Sequence, residues 1–349
     1  MQKLVIVCLS FLFLNTTAQD TVKIKTALTA EQEAENAYNV GLEFMGKRDF
    51  NMAIEQFSKA ISFKPAFDKA FSNRGFARYE SKTYDASIED FNKALAINPA
   101  NSDALFGKAQ SFYATNKKDS CNLYLNKTTL IDENYSKAFY LAGQLKFEEG
   151  EYKMAIAEYD KAILAKKDYA YAYNDRGSAK KQLGDDAGAI SDYEKAIAID
   201  SKLFFSYNSL GSCKRNKGDN AGAIAAYDKA ISIKSDYYVA LNNRGTAKLN
   251  MNDFSGAISD FDAALKYKAN YTLAINNMAS AYIKKKDYKS AADWANKAIT
   301  VDSKLGAAYL NRGIAKQMLK DEAGACDDWK KAADYGVPEG KRYTSGFCD

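Results

Sequence analysis

A period of 34 residues governs this chain. Nine consecutive blocks begin at Ala34, Asp68, Ser102, Ser136, Ala170, Phe204, Tyr238, Thr272 and Gly306 and run to Glu339 without an insertion or deletion. In such an array each unit buries its apolar face only by stacking on its neighbours. The eighth place of every block is glycine or alanine: Gly41, Gly75, Ala109, Gly143, Gly177, Gly211, Gly245, Ala279 and Gly313. The twentieth place (Ala53 to Ala325, with Ser87 and Cys121) and the twenty-seventh (Ala60 to Ala332, with Thr128) are small as well. Glycine within a helix costs about 1 kcal/mol relative to alanine, so its recurrence at one place requires close approach of two helix backbones. Large fillers stand between, among them Phe57, Phe91, Tyr159, Tyr193, Tyr227, Phe261 and Trp329 at the twenty-fourth place. Spacings of three and four residues put the apolar set on one face of each half block. Each block therefore reads as helix, short polar turn, helix.

Read along one block, the order is aromatic, Gly, aromatic, Ala, aromatic, Ala and Pro. In the first it is carried by Gly41, Phe44, Phe50, Ala53, Phe57, Ala60 and Pro65. This pattern resembles the tetratricopeptide repeat (TPR) family. The resemblance implies an all-α fold, a right-handed superhelical solenoid of nine helix-turn-helix repeats. Their bounds are 34–67, 68–101, 102–135, 136–169, 170–203, 204–237, 238–271, 272–305 and 306–339. It further implies that the first helices line a concave groove. Only Pro65 and Pro99 occupy the family's proline place. Length alone would predict two or three globular domains, but the repeat replaces that expectation with one elongated domain.

Two ends remain. Met1 to Ala18 holds Lys3, an apolar run from Leu4 to Leu14, and small residues before Ala18, which reads as a secretory signal. Residues 19–33 form a polar lead-in and the start of the first helix, with Thr29 and Gln32 as a capping box. Nothing later approaches the ~20 apolar residues of a membrane helix. The mature chain is thus expected to be exported, periplasmic or secreted. Loss of Lys3 takes the formal charge from +5 to +4 against 44 acidic residues, and no basic stripe stands out, so nucleic acid is not an expected partner.

Four cysteines remain after Cys8: Cys121, Cys213, Cys326 and Cys348. The first two lie three blocks apart, too far along a solenoid for a bridge, and read as small core residues. Residues 340–349 are expected to be a tail without a helix of its own, folded back over the last repeat and pinned by a Cys326–Cys348 disulfide, with Cys326 opening the last helix. Export permits such a bond.

The chain contains no histidine, which excludes His-activated nucleophiles and His-ligated metals. No phosphate loop, nucleophile elbow or CxxC pair occurs. Acidic residues recur at the sixteenth place (Asp49, Glu151, Asp185, Asp219, Asp253, Asp287 and Asp321), with Asp119 two places further on in its block. One such residue per turn is helix capping, not a pair of catalytic carboxylates. Neither an enzyme nor a cofactor is expected.

Function then falls to a surface, and the resemblance indicates which places face the groove. At one end these places hold Tyr38, Tyr79, Phe106, Tyr113, Tyr140 and Phe147. At the other they hold Asn174, Asn208, Asn242 and Asn276 at the fifth place and Asn243, Asn277 and Asn311 at the sixth, with Lys181 and Arg215 between. Each amide offers a donor and an acceptor, which suits an extended peptide backbone. Arg74, Arg176, Arg244 and Arg312 recur at the seventh place and are placed between helices. Block three is the odd one, since Asn122, Thr128 and Thr129 stand where other blocks have apolar residues or alanine. A weaker interface is expected there. The expected function is an exported scaffold or adaptor holding an extended segment of a partner protein. Two other readings stay open: a glycan or cell-wall binder using the groove aromatics, and an envelope component docking through its convex face.

Overall fold

The computed structural model describes residues 28–348. The expected leader, Met1 to Ala18, and the lead-in as far as Ala27 lie outside the described residues. The chain divides into two compact units, one ending at Pro99 and one starting at Ala100. The first holds α1 (Ala30–Gly46), α2 (Phe50–Phe63), α3 (Asp68–Glu80) and α4 (Tyr84–Ile97). The second holds α5 (Ser102–Ala114), α6 (Lys118–Ile131), α7 (Ser136–Glu148), α8 (Tyr152–Ala165), α9 (Ala170–Gln182), α10 (Asp186–Ile199), α11 (Phe204–Asn216), α12 (Asn220–Ile233), α13 (Tyr238–Asn250), α14 (Phe254–Tyr267), α15 (Thr272–Lys284), α16 (Tyr288–Val301), α17 (Gly306–Met318), α18 (Glu322–Asp334) and α19 (Pro338–Phe347). No strand occurs among the described residues. Within each unit, consecutive helices pair and the pairs stack in chain order.

Each block turns the same way between its helices. The fifteenth-place residue is left-handed throughout, with φ from 56° at Asn116 to 83° at Gly218. The following amide returns to the eleventh-place carbonyl, as Asp253 N–H does to Lys248 at 2.9 Å. That is a helix C-cap closing orphan carbonyls. The next helix is then capped by its sixteenth-place carboxylate. Asp49, Asp185, Asp219, Asp253, Asp287 and Asp321 all accept from the third amide beyond them. Asp119 sits inside the first turn of α6 instead, and the Glu151 side chain makes no cap bond. The Thr29–Gln32 capping box is formed at the start of α1.

The eighth-place glycines lie under the twenty-fourth-place rings. A Cβ on Gly245 would stand 2.7 Å from the Phe261 ring, and one on Gly143 would stand 2.5 Å from that of Tyr159. The two blocks with alanine at the eighth place, Ala109 and Ala279, carry no ring opposite; they have Leu125 and Ala295. Volume is thus traded across the helix pair. Gly245→Ala is expected to destabilise by about 1–3 kcal/mol through overpacking. Adding Phe261→Leu should recover part of that loss in a denaturant titration, whereas in the parent chain Phe261→Leu alone should destabilise.

Block three is looser, as its polar residues predict. Thr128 is buried and donates to the Tyr124 carbonyl at 2.7 Å. Asn122, Asn126 and Thr129 of α6 line a cavity of about 340 Å³ with Phe139, Lys146 and Glu158 of α7 and α8.

The C-terminal expectation needs correction. Residues 338–347 are a helix, α19, and Cys326 lies inside α18, the helix before it. Pro338 at the first helical position starts α19, because its missing N–H would have no helical partner there anyway. The helix lies close on α18, where a Cβ on Gly340 would come 2.6 Å from the Trp329 carbonyl. Tyr343 stacks on Trp329 with centroids 4.9 Å apart. Cys326 and Cys348 form a disulfide with a Cα separation of 5.8 Å. Among the described residues no helix is long and apolar enough to cross a membrane.

Candidate functional site

The asparagines of the first helices form rungs between repeats. Asn243 donates through Nδ2 to Oδ1 of Asn208, Asn277 to Asn242 and Asn311 to Asn276, each at 2.9 Å. Every rung joins the fifth place of one block to the sixth place of the next. Asn174 begins the series differently, accepting from Ser206 at 2.8 Å and donating to Asp175 at 2.8 Å. Asn174, Asn242 and Asn311 are buried, so they serve the stacking of repeats. Asn208, Asn243, Asn276 and Asn277 are half-buried and reach the surface. Each rung uses half of each amide. Nδ2 of Asn208 and Asn276 and Oδ1 of Asn243 and Asn277 have no partner among the described residues.

The fifth-place aromatics stand in packing and rungs rather than free in a groove. Tyr38 packs on Phe57 and Phe67 and accepts from Asn73 at 2.9 Å. Phe106 is buried against Tyr135. Tyr140 packs between Tyr159 and Tyr169 and donates to Asp175 at 2.6 Å. The twelfth-place rings differ. Tyr113 and Phe147 line an open cavity of about 250 Å³, whereas Tyr79 of the first unit packs on Tyr84. Lys181 and Arg215, also at the twelfth place, are half-buried and make no ion pair among the described residues. Cys121 and Cys213 are buried thiols, and burial pushes Cys121 up to about 12 and raises Cys213 as well. Neither has the lowered pKa of a reactive cysteine. No group of His, Cys, Asp or Glu among the described residues could hold a metal ion.

Two tetratricopeptide repeat models match the sequence. One covers residues 34–67, 69–101, 136–169, 170–203 and 206–237, the other 242–313. The chain belongs to the tetratricopeptide repeat family. The matched stretches leave out 102–135, the block with the loosened second helix. Among solved TPR structures, the APC/C hetero-tetramer Cut9–Hcn1 is similar with a TM-score of 0.59 at 15% identity, over 94% of this chain and 79% of that one. YrrB, described as a TPR protein with an unusual peptide-binding site, has a TM-score of 0.48 at 19% identity, over 54% of this chain and 98% of its own. MamA has a TM-score of 0.43 at 25% identity, over 46% of this chain and 94% of its own. No curated protein matches the sequence.

Two features of the TPR array escape a reading of single places. First, the seventh-place arginines are clamped by buried aspartates at the twenty-third place. Arg244 reaches Asp260 through Nε at 2.9 Å and Nη2 at 2.6 Å, and the same fork joins Arg74 to Asp90, Arg176 to Asp192 and Arg312 to Asp328. Each aspartate takes a second cation, namely Arg78, Lys180, Lys248 or Lys316. Secondly, the second place turns from charged (Glu35, Lys69, Asp103, Lys137) to apolar (Tyr171, Phe205, Val239, Leu273) where the amide ladder begins. Helical spacing sets that place on the same face as the fifth and sixth. Tyr171 and Leu273 are 49% and 53% exposed.

Proposed function

We propose that this chain is an exported, non-catalytic scaffold that holds an extended segment of a partner protein along the amide ladder of its later repeats. The observation that carries this reading is the set of amide groups left over by the rungs. Asn208 and Asn276 keep a free donor, Asn243 and Asn277 a free acceptor, and each side chain is already held by a neighbouring repeat. Groups fixed before binding lose little entropy on binding. An extended backbone offers N–H and C=O in alternation and can meet both kinds. The apolar second-place residues Tyr171, Phe205, Val239 and Leu273 supply burial beside the ladder. Export rests on the leader-like stretch from Met1 to Ala18.

The test is an affinity capture from the host's envelope extract, comparing the native protein with a variant in which Asn208, Asn243, Asn276 and Asn277 are alanine and helicity is unchanged. A protein held by the native chain and reduced at least about tenfold in the variant supports the reading and names the partner. Equal capture by both would move the function off the ladder and onto another face.

A further inference from the structure

The second unit holds an acidic, ring-walled cavity that the ladder does not explain. It has a volume of about 250 Å³ and lies among α5, α7, α8 and α9, with walls of Tyr113, Phe147 and Tyr159 and an edge of Gln144, Glu148 and Asp175. Ring faces carry negative potential and attract cations. Neither carboxylate pairs with a cation among the described residues. Asp175 accepts only from the neutral Tyr140 hydroxyl at 2.6 Å and the Asn174 amide at 2.8 Å. Glu148 accepts from the Tyr113 hydroxyl. Elsewhere in the array the contrast is sharp, for Asp192 and Asp260 each hold two cations. Burial raises the Asp175 carboxyl pKa against the pull of its two hydrogen bonds, which marks a charge short of compensation. A neutral sugar hydroxyl would not supply it. The volume lies below the ~300–1,000 Å³ of pockets for drug-sized ligands and suits one long side chain.

We propose that this cavity seats the cationic head of an arginine or lysine from the bound segment, between the rings of Tyr113 and Phe147 and against Glu148 and Asp175. The proposal rests on the groove reading above and adds to it the chemistry of one partner residue. A charge-assisted pair desolvated beside aromatic rings is among the stronger contacts a peptide can make.

A displayed library of random dodecapeptides, panned on the native protein, tests both ideas separately. The expected result is peptides with arginine or lysine fixed at one position. Glu148→Gln with Asp175→Asn should weaken the best of them at least about tenfold and erase the basic preference. Glu148→Lys alone, a change at an exposed site that leaves the Asp175 bonds intact, should select peptides without that residue. Tight peptides lacking any basic preference would overturn the pocket and leave the ladder standing. Basic peptides indifferent to alanine at Asn208, Asn243, Asn276 and Asn277 would sink the ladder and keep the pocket. No peptide at all, with glycan-array binding lost on Phe147→Ala, would overturn both.

Discussion

Asp260→Ala is expected to destabilise the second unit by about 3–5 kcal/mol, the loss seen when one partner of a buried ion pair is removed. The Asp260 side chain is 5% exposed and that of Arg244 20%, so neither charge is well solvated. Without Asp260, the Arg244 fork and the Lys248 ammonium would face each other with only the more exposed Asp228 to offset them. The hydrogen bonds it donates to Asp260 hold the Arg244 guanidinium above its ordinary range, so it will not escape by losing its proton. The chain itself supplies the compensating change. In repeat six the same two places hold Leu210 and Ala226, both buried, with Lys214 at the place of Lys248. Arg244→Leu combined with Asp260→Ala should therefore return to within about 1.5 kcal/mol of the native chain. Urea titration gives the size of both effects, and hydrogen exchange in α13 and α14 locates them. A double variant as unstable as Asp260→Ala would show that the pair does more than fill space.

The second large effect is expected at the C-terminus. Cys348→Ser removes a bridge that spans 22 residues of sequence and should cost about 3 kcal/mol on the chain-entropy account. The loss should appear first in α19, which covers the fully buried Trp329 with Tyr343 and Phe347. A red shift of Trp329 fluorescence below the main unfolding transition would report it. Reductant should reproduce the shift in the native protein and leave the variant unchanged. A native protein indifferent to reductant, or one whose denatured and unreduced form shows Cys326 and Cys348 as free thiols, would remove the bridge from this account.

Legibility in the sequence followed how local each signal is. The small residues at the eighth, twentieth and twenty-seventh places disclose the helix pairs because each is dictated within one block. Asp260 was not legible in that way. Its place holds Asp only where the seventh holds Arg, and Ala226 or Trp294 where that place is Leu210 or Met278, so the signal lies in the pair. The α19 helix was missed because most of it, from Gly340 onward, lies beyond the ninth block, where the repeat pattern that marks the other helices gives no signal. The asparagines were visible as a set, but which of them are spent in stacking depends on a contact 35 residues away, as from Asn243 to Asn208. The same contact explains why tyrosine and asparagine share the fifth place. Tyr38 and Tyr140 make the equivalent bonds to Asn73 and Asp175 with a hydroxyl instead of an amide.

The rungs also run one way. In all three, the donor belongs to the later repeat and the acceptor to the earlier one. What is left over is ordered too: α11 offers the free N–H₂ of Asn208, α13 the free carbonyl of Asn243, and α15 the free N–H₂ of Asn276 followed by the free carbonyl of Asn277. A surface with that handed sequence of groups has a head and a tail. A segment laid along it N-to-C and the same segment laid C-to-N would not meet the same hydrogen-bonding partners, so on the proposed reading the later repeats would distinguish direction as well as composition.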